Sequence, residues 1–177
     1  MINSHKFEAM MNKKCKKIKL VLTDVDGVLT DGGRYYSYEG ENLKKFHTRD
    51  GMGANLLLRN GIKTAIITKE KSKIAEKWAK EMNVSFVYSG VIKKELELTK
   101  ICKKFGLTNE EIAFIGDDVN DLELMKRVGF SITPADGIKH VKQVADYVCK
   151  LGGGKGAFRE VADLILSIKF PYKTKWY

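Results

Sequence analysis

Short apolar runs alternate along this chain with longer segments in which apolar positions recur every three or four residues. Ile18–Thr23 (IKLVLT), Ile62–Thr68 (IKTAIIT), Val84–Tyr88 and Ile112–Ile115 (IAFI) read as buried strands. Phe130–Thr133 and Tyr147–Val148 read as shorter ones. Between them Gly51–Asn60, Lys71–Met82, Lys93–Phe105 and Leu122–Val128 read as helices, with Ala157–Ile168 as the last. Gly61 and Gly106 stand where a helix end calls for a left-handed residue, and Thr108-Asn-Glu-Glu111 reads as a capping box. Arg34–Tyr38 and Asn42–Thr48 flank Glu39-Gly40-Glu41 as a β-hairpin. Strands alternating with helices imply βαβ units, hence an α/β fold with a parallel central sheet and helices on both faces. The hairpin is an insertion after the first strand. On this reading residues 18–168 form one domain. Residues 1–17 are a basic, mobile tail with room for a short helix, and 169–177 are a C-terminal tail.

Composition narrows the picture only slightly. At 177 residues, with 44% hydrophobic and 31% charged positions, the chain can bury a core without disulfides or metal staples. No apolar run approaches the roughly 20 residues of a membrane span. The N-terminus lacks the apolar stretch of a secretory signal, so the cytoplasm is the expected compartment. The formal charge is 32 − 22 = +10. The excess is nearly all lysine, and arginine, the residue that reads bases bidentately, occurs only at positions 34, 49, 59, 127 and 159. A solvated basic surface accounts for this better than a nucleic-acid partner. Cys15, Cys102 and Cys149 lie far apart and His5, His47 and His140 show no ligand spacing, so no disulfide framework or zinc site is expected.

Ligands of such sheets bind at the carboxyl ends of the strands. There the sequence places Asp24-Val-Asp26-Gly-Val-Leu-Thr-Asp31-Gly32, then Thr68-Lys69-Glu70, then Lys93-Lys94, then Gly116-Asp117-Asp118-Val-Asn120-Asp121. Two groups of carboxylates at one sheet edge repel unless a cation lies between them, and carboxylate oxygens suit Mg²⁺. A hydroxyl and an ammonium facing them suit a phosphate. A carboxylate can attack phosphorus to form an aspartyl-phosphate. Asp24 and Asp26, two apart, allow one to attack while the other reaches the leaving oxygen.

The set DxDGVxTDG, a strand-terminal Thr, a Lys and GDDxND, in that order over about Ile18 to Asp121, resembles the haloacid-dehalogenase superfamily of phosphatases. DGVLTDGG followed by a hairpin, then KKFHTRDGMG and GGGKGAFRE, resemble its capless branch. That branch holds the 3-deoxy-manno-octulosonate 8-phosphate (KDO 8-phosphate) phosphatases and their sialic-acid-type relatives, and the likeness reaches about Leu166. The resemblance implies a Rossmann-like three-layer sandwich without a cap domain and Mg²⁺ as cofactor. It implies Asp24 as nucleophile and metal ligand. Asp26 would be the acid on the leaving alcohol and then the base for water, its carbonyl also on the metal. Thr68 and Lys94 would hold the phosphoryl group, with Lys93 competing for the lysine role. Asp117 would be a direct or water-bridged metal ligand, Asp121 would orient Lys94 or the metal waters, and Asn120 would support them. The resemblance also implies a homotetramer assembled through the hairpin, with each site covered by a neighbour, partly by the segment Gly152–Glu160. Lys155 and Arg159 divide evenly between meeting the sugar carboxylate and simple surface charge. Thr68-Lys69-Glu70 departs from the Thr-Gly-Arg usual in the octulosonate enzymes. Glu70 resembles the branch acting on nine-carbon 9-phosphates, which leaves eight- and nine-carbon acids both open.

Other readings fit less well. An EF-hand fails, because its loop needs Gly at Leu29 and Glu at Tyr35. Gly152-x-Gly154-x-x-Ala157 matches a dinucleotide fingerprint too near the chain end to complete a βαβ unit. A phosphatase of another small sugar phosphate remains the nearest alternative. A receiver-like phospho-acceptor and a nucleic-acid-binding protein stand further off, and no membrane partner is expected.

Overall fold

Leu20–Thr23 (β1) is buried at every position, as a strand with both faces covered must be. The computed structural model describes residues 4–173. Its main sheet also holds β4 (Lys63–Ile67), β5 (Phe86–Tyr88), β6 (Ile112–Ile115), β7 (Phe130–Thr133) and β8 (Tyr147–Val148), every pairing parallel. The strand order is β5-β4-β1-β6-β7-β8, so β1 is central, flanked by β4 and β6. The remaining two strands, β2 (Tyr35–Ser37) and β3 (Gly40–Leu43), pair antiparallel as the hairpin inserted after β1.

Side-chain alternation along β1 divides the core into two layers. Val21 joins one cluster with Ala54, Leu57, Phe158, Val161 and Ile165. It lies beneath α1 (Ser4–Lys17), α2 (Thr48–Arg59), α3 (Lys73–Glu81) and α7 (Ala157–Lys169). Leu20 and Leu22 face the other cluster, with Leu98, Ile101, Phe114 and Leu124 under α4 (Lys94–Phe105), α5 (Leu122–Met125) and α6 (Lys139–Val144). This is the three-layer sandwich the residues imply. No cap domain is present among the described residues, and none of their helices is long and apolar enough to cross a membrane.

Three segments differ from the expectation. The first is the basic tail over 1–17, where Ser4–Lys17 forms a docked helix. Met11 and Cys15, one turn apart, are buried, and Lys169 Nζ donates to the Lys16 and Ile18 carbonyls at 2.8 Å each, satisfying the helix end. Several of its lysines face carboxylates, among them Lys14 to Asp146 at 2.6 Å and Lys17 to Glu110 at 2.5 Å. The density of lysine hid a stripe of only two apolar positions. Secondly, α6 was not legible, because in six residues only Val141 is buried. Thirdly, β3 stops at Leu43 rather than Thr48, for Lys44 leaves the ladder to meet carboxylates. Of the C-terminal tail, residues 174–177 lie outside the described residues.

Candidate active site

Asp24 directly follows β1 and Asp117 lies two residues past β6, so neighbouring parallel strands deliver both to one edge. Asp24 is 6% exposed. Its Oδ1 accepts from the Val25 N–H at 2.7 Å, and its Oδ2 lies 2.8 Å from Lys94 Nζ. Lys94 opens α4, and its side chain is wholly buried. It also meets Asp121 Oδ1 at 2.6 Å. Asp121 Oδ2 in turn accepts from the N–H groups of Asp117 and Asp118 at 2.9 and 3.3 Å. Asp121 thus fixes both the lysine and the loop that carries Asp117. Lys93 caps the start of α4 in sequence only, and it lines a different groove, with Ile92 and Leu96.

Carboxylate oxygens of Asp24, Asp117 and Asp121 lie within 4.8 Å of one another. Burial pushes Asp24 up to about 6, against the pull of Lys94 and with Asp121 adding to the rise. Burial, reinforced by the charges of Asp24 and Asp121, pushes Asp117 up to about 8. The Lys94 ammonium is drawn down by burial, but Asp24 and Asp121 outweigh that and hold it above the ordinary lysine value. One cation among three carboxylates leaves the cluster short of positive charge. Asp117 Oδ1 is buried without a hydrogen-bond partner. An all-oxygen donor set with an unsatisfied carboxylate oxygen fits a hard divalent cation such as Mg²⁺. A pH dependence follows. A carboxyl raised from 3.8 to about 8 favours the folded state while protonated. Its contribution is complete below the unfolded value and is lost as pH rises through about 8. Without a divalent cation, the thermal midpoint is therefore expected to fall from about pH 6 to about pH 9, and added Mg²⁺ is expected to lift it most at the alkaline end. A flat midpoint, measured by scanning calorimetry, would contradict this.

The other groups line the same cavity, of about 290 Å³, with Asp24, Asp26, Thr68, Glu70, Asp117 and Asn120 among its walls. Thr68, at the end of β4, is 2% exposed. Its backbone is pinned by bonds to Tyr88 O and from Val91 N, and its hydroxyl accepts from Glu70 N–H at 3.3 Å, leaving the hydroxyl proton to donate. Asp26 Oδ1 meets Lys44 Nζ at 2.5 Å. Asp26 Oδ2 is buried and has no hydrogen-bond partner.

Two residues here escaped the sequence reading. Lys44, wholly buried, bridges Asp26 and Glu41. It lies just past the end of β3, two residues before Phe46, which stacks on Trp78 at 4.8 Å between ring centres, and no local pattern marks it. Arg34, just before β2, lines the cavity near Asp26 and Glu70.

Lys155 and Arg159 are not brought to this cavity within the chain. Lys155 is exposed, and Arg159 Nε pairs with Asp163 Oδ1 at 2.8 Å beside a separate groove. The glycine run packs against the Asp24–Thr30 loop of its own chain. Gly152, Gly153 and Gly154 are buried, and Gly154 N–H donates to Val28 O at 3.0 Å. A Cβ on Gly153 would lie 2.0 Å from Gly27 O. Gly27 itself, at φ +85°, leaves room where a Cβ would strike Asp117 Oδ2. Because the obstacle at Gly153 is backbone, Gly153→Ala is expected to displace the Asp24–Thr30 loop. Turnover should fall about a hundredfold with the fold retained. Near-normal kcat beside an unchanged melting curve would refute this.

Acidic loops converging on a parallel sheet, with a buried lysine and a strand-terminal threonine, define a haloacid dehalogenase-like hydrolase. The model of that family matches residues 58–152, just over half of the chain, and the chain belongs to the family. Within it the chain is a phosphomonoesterase of the capless branch that includes the KDO 8-phosphate phosphatases. It is 40% identical over 156 residues to the 3-deoxy-D-manno-octulosonate 8-phosphate phosphatase KdsC of Haemophilus influenzae, covering 88% of this chain and 87% of that relative. Among solved structures, the Moraxella catarrhalis 3-deoxy-D-manno-octulosonate 8-phosphate phosphatase, in complex with magnesium ion, phosphate ion and KDO, is similar. It is 39% identical, with a TM-score of 0.87 over 90% of this chain and 91% of that one. The cobalt-bound Haemophilus influenzae enzyme is 40% identical, with a TM-score of 0.86 over 88% of this chain and 91% of that one.

Proposed function

We propose that this chain is a Mg²⁺-dependent phosphatase acting on the phosphate monoester of a 3-deoxy-2-ulosonic acid. The substrate is KDO 8-phosphate or a sialic-type nonulosonate 9-phosphate, and the reaction passes through phospho-Asp24. The observation that carries this reading is the pair of buried carboxylate oxygens in one cavity that accept no hydrogen bond, Asp26 Oδ2 and Asp117 Oδ1. The first faces the leaving-group side beside Arg34, and the second is open to a metal. The names of the relatives support the sugar-acid substrate.

Asp24 and Asp117 would hold Mg²⁺ together with the Asp26 carbonyl. Bound there, the ion supplies positive charge against these carboxylates and the phosphoryl oxygens. Lys94 keeps Asp24 ionised and faces the phosphoryl group with Thr68, whose hydroxyl proton is free to donate. An Asp24 carboxylate oxygen attacks phosphorus as the bond to the leaving oxygen breaks, and Asp26, protonated on Oδ2, gives that oxygen its proton. Asp26 then takes a proton from water as the water oxygen attacks phosphorus. The bond to Asp24 breaks, inorganic phosphate leaves, and both carboxyls return to their starting state. Most of the barrier is met by positioning and charge, as phosphoryl transfer requires.

The hairpin supports a homotetramer with sites at subunit interfaces, since Tyr35, Tyr36 and Leu43 are all more than half exposed there. Light scattering that gives a monomer mass would remove that part. The reaction is tested by phosphate release from KDO 8-phosphate and from a sialic-type 9-phosphate, each with Mg²⁺ and with EDTA. Mg²⁺-dependent release from either one supports the reading and chooses between them. Release from neither overturns it.

A further inference from the structure

The leaving-group side of the cavity holds a charge arrangement that phosphoryl transfer alone does not require. Lys94 and Thr68 already face the phosphoryl position, and Lys44 already compensates Asp26 from behind. Arg34 adds a second cation on the outer side. Its Nη2 is 3.6 Å from Asp26 Oδ2, a charge contact too long for a hydrogen bond, and 3.3 Å from Glu70 Oε1. Nη1 donates to the Tyr36 hydroxyl at 3.4 Å. The pair therefore ties the start of the inserted hairpin to the loop after β4, across the cavity mouth.

Three properties make this a device for recognition rather than stability. The ion pair lies at the rim, with the Arg34 side chain 32% and the Glu70 side chain 42% exposed, where such a pair contributes little to folding and exchanges easily. The group that protonates the leaving oxygen is Asp26, so the organic half of the substrate must extend from phosphorus past Asp26, towards Arg34. Finally, a guanidinium offers five donors in a planar fork that matches a carboxylate, and only part of that fork is engaged here.

We infer that Arg34 is a specificity-determining residue that binds the carboxylate of a sugar-acid leaving group, which takes the place Glu70 holds in the free protein. Glu70 is then a positioning residue: it presents the guanidinium and acts only through Arg34. This rests on the phosphatase reading above, but not on which sugar acid is the substrate.

The test uses two pairs of esters that differ only in the carboxylate. One is KDO 8-phosphate with its C1-reduced alcohol, and the other is 6-phosphogluconate with sorbitol 6-phosphate. Arg34→Gln should lower the ratio of kcat/KM for the acid over that for the alcohol by at least about tenfold, through KM, whatever loss the two share. Arg34→Lys should restore the ratio only in part, because it keeps the charge and loses the fork. Glu70→Gln should change the ratio in the wild-type background and leave it unchanged in Arg34→Gln. A ratio untouched by Arg34→Gln would overturn the inference, as would Glu70→Gln acting fully without Arg34. Discrimination within the second pair but no release from the first would remove KDO as substrate and leave Arg34 its role. Calorimetric titration of 6-phosphogluconate into Asp24→Asn, with and without Arg34→Gln, reads the same contact without turnover. Equal affinities there would also overturn it.

Discussion

Lys94→Met is expected to cost the fold about 3–5 kcal/mol, because it leaves carboxylates stranded in the interior. Lys94 is wholly buried and sits 2.8 Å from Asp24 and 2.6 Å from Asp121, with Asp117 in the same cluster. Methionine keeps the volume and removes the only ammonium touching them among the described residues. For a chain of this length the thermal midpoint should fall by roughly 10 °C. The deficit has a sign in pH as well. Asp24 and Asp117 already stand at about 6 and about 8, and losing Lys94 raises them further. The penalty should then be small in mild acid, where the carboxyls are protonated, and largest above about pH 8. A variant as stable as the wild type at alkaline pH would show that the cluster does not depend on Lys94.

The other large effect is on turnover. Asp24→Asn keeps the shape of the side chain but replaces the attacking oxygens with an amide that cannot form the acyl phosphate. The loss in kcat should reach about 10⁴-fold or more, as for other nucleophiles. Stability should move the opposite way from that of Lys94→Met, since one of the crowded charges is gone. Rapid-quench trapping should find no covalent phosphate on the variant and a labile one on the wild type. Substantial turnover by Asp24→Asn would assign the nucleophile elsewhere.

The sheet was legible because parallel strands buried on both faces are written as unbroken apolar runs. Ile112–Ile115 and Phe130–Thr133 match the observed β6 and β7 to the residue. The strand ends then directed attention to Asp24, Thr68, Lys94 and Asp117, and the fold brings all four to one edge. Contacts made at long range were not legible. Lys44 reads as one more solvated lysine until the hairpin folds back over Asp26, 18 residues away. The role of Gly153 depends on a backbone oxygen at Gly27, far earlier in the chain, and no local pattern encodes that approach. Asp50 is similar. Burial raises it to about 6, and its carboxylate accepts from the Arg159 N–H at 2.8 Å, fixing the start of α7 from across the sequence.

Asp24, the proposed nucleophile, lies in the first sixth of the sequence, yet the glycines that pack against its loop lie in the last sixth. During synthesis the Asp24–Thr30 loop is therefore expected to take its folded shape only once residues 153 and 154 have cleared the ribosome. Fragments released by stalling or by premature stop codons would carry Asp24, Thr68 and Lys94 without the backbone that aligns them. Such fragments should be catalytically silent, so the activity should arise only in chains that extend past Gly154.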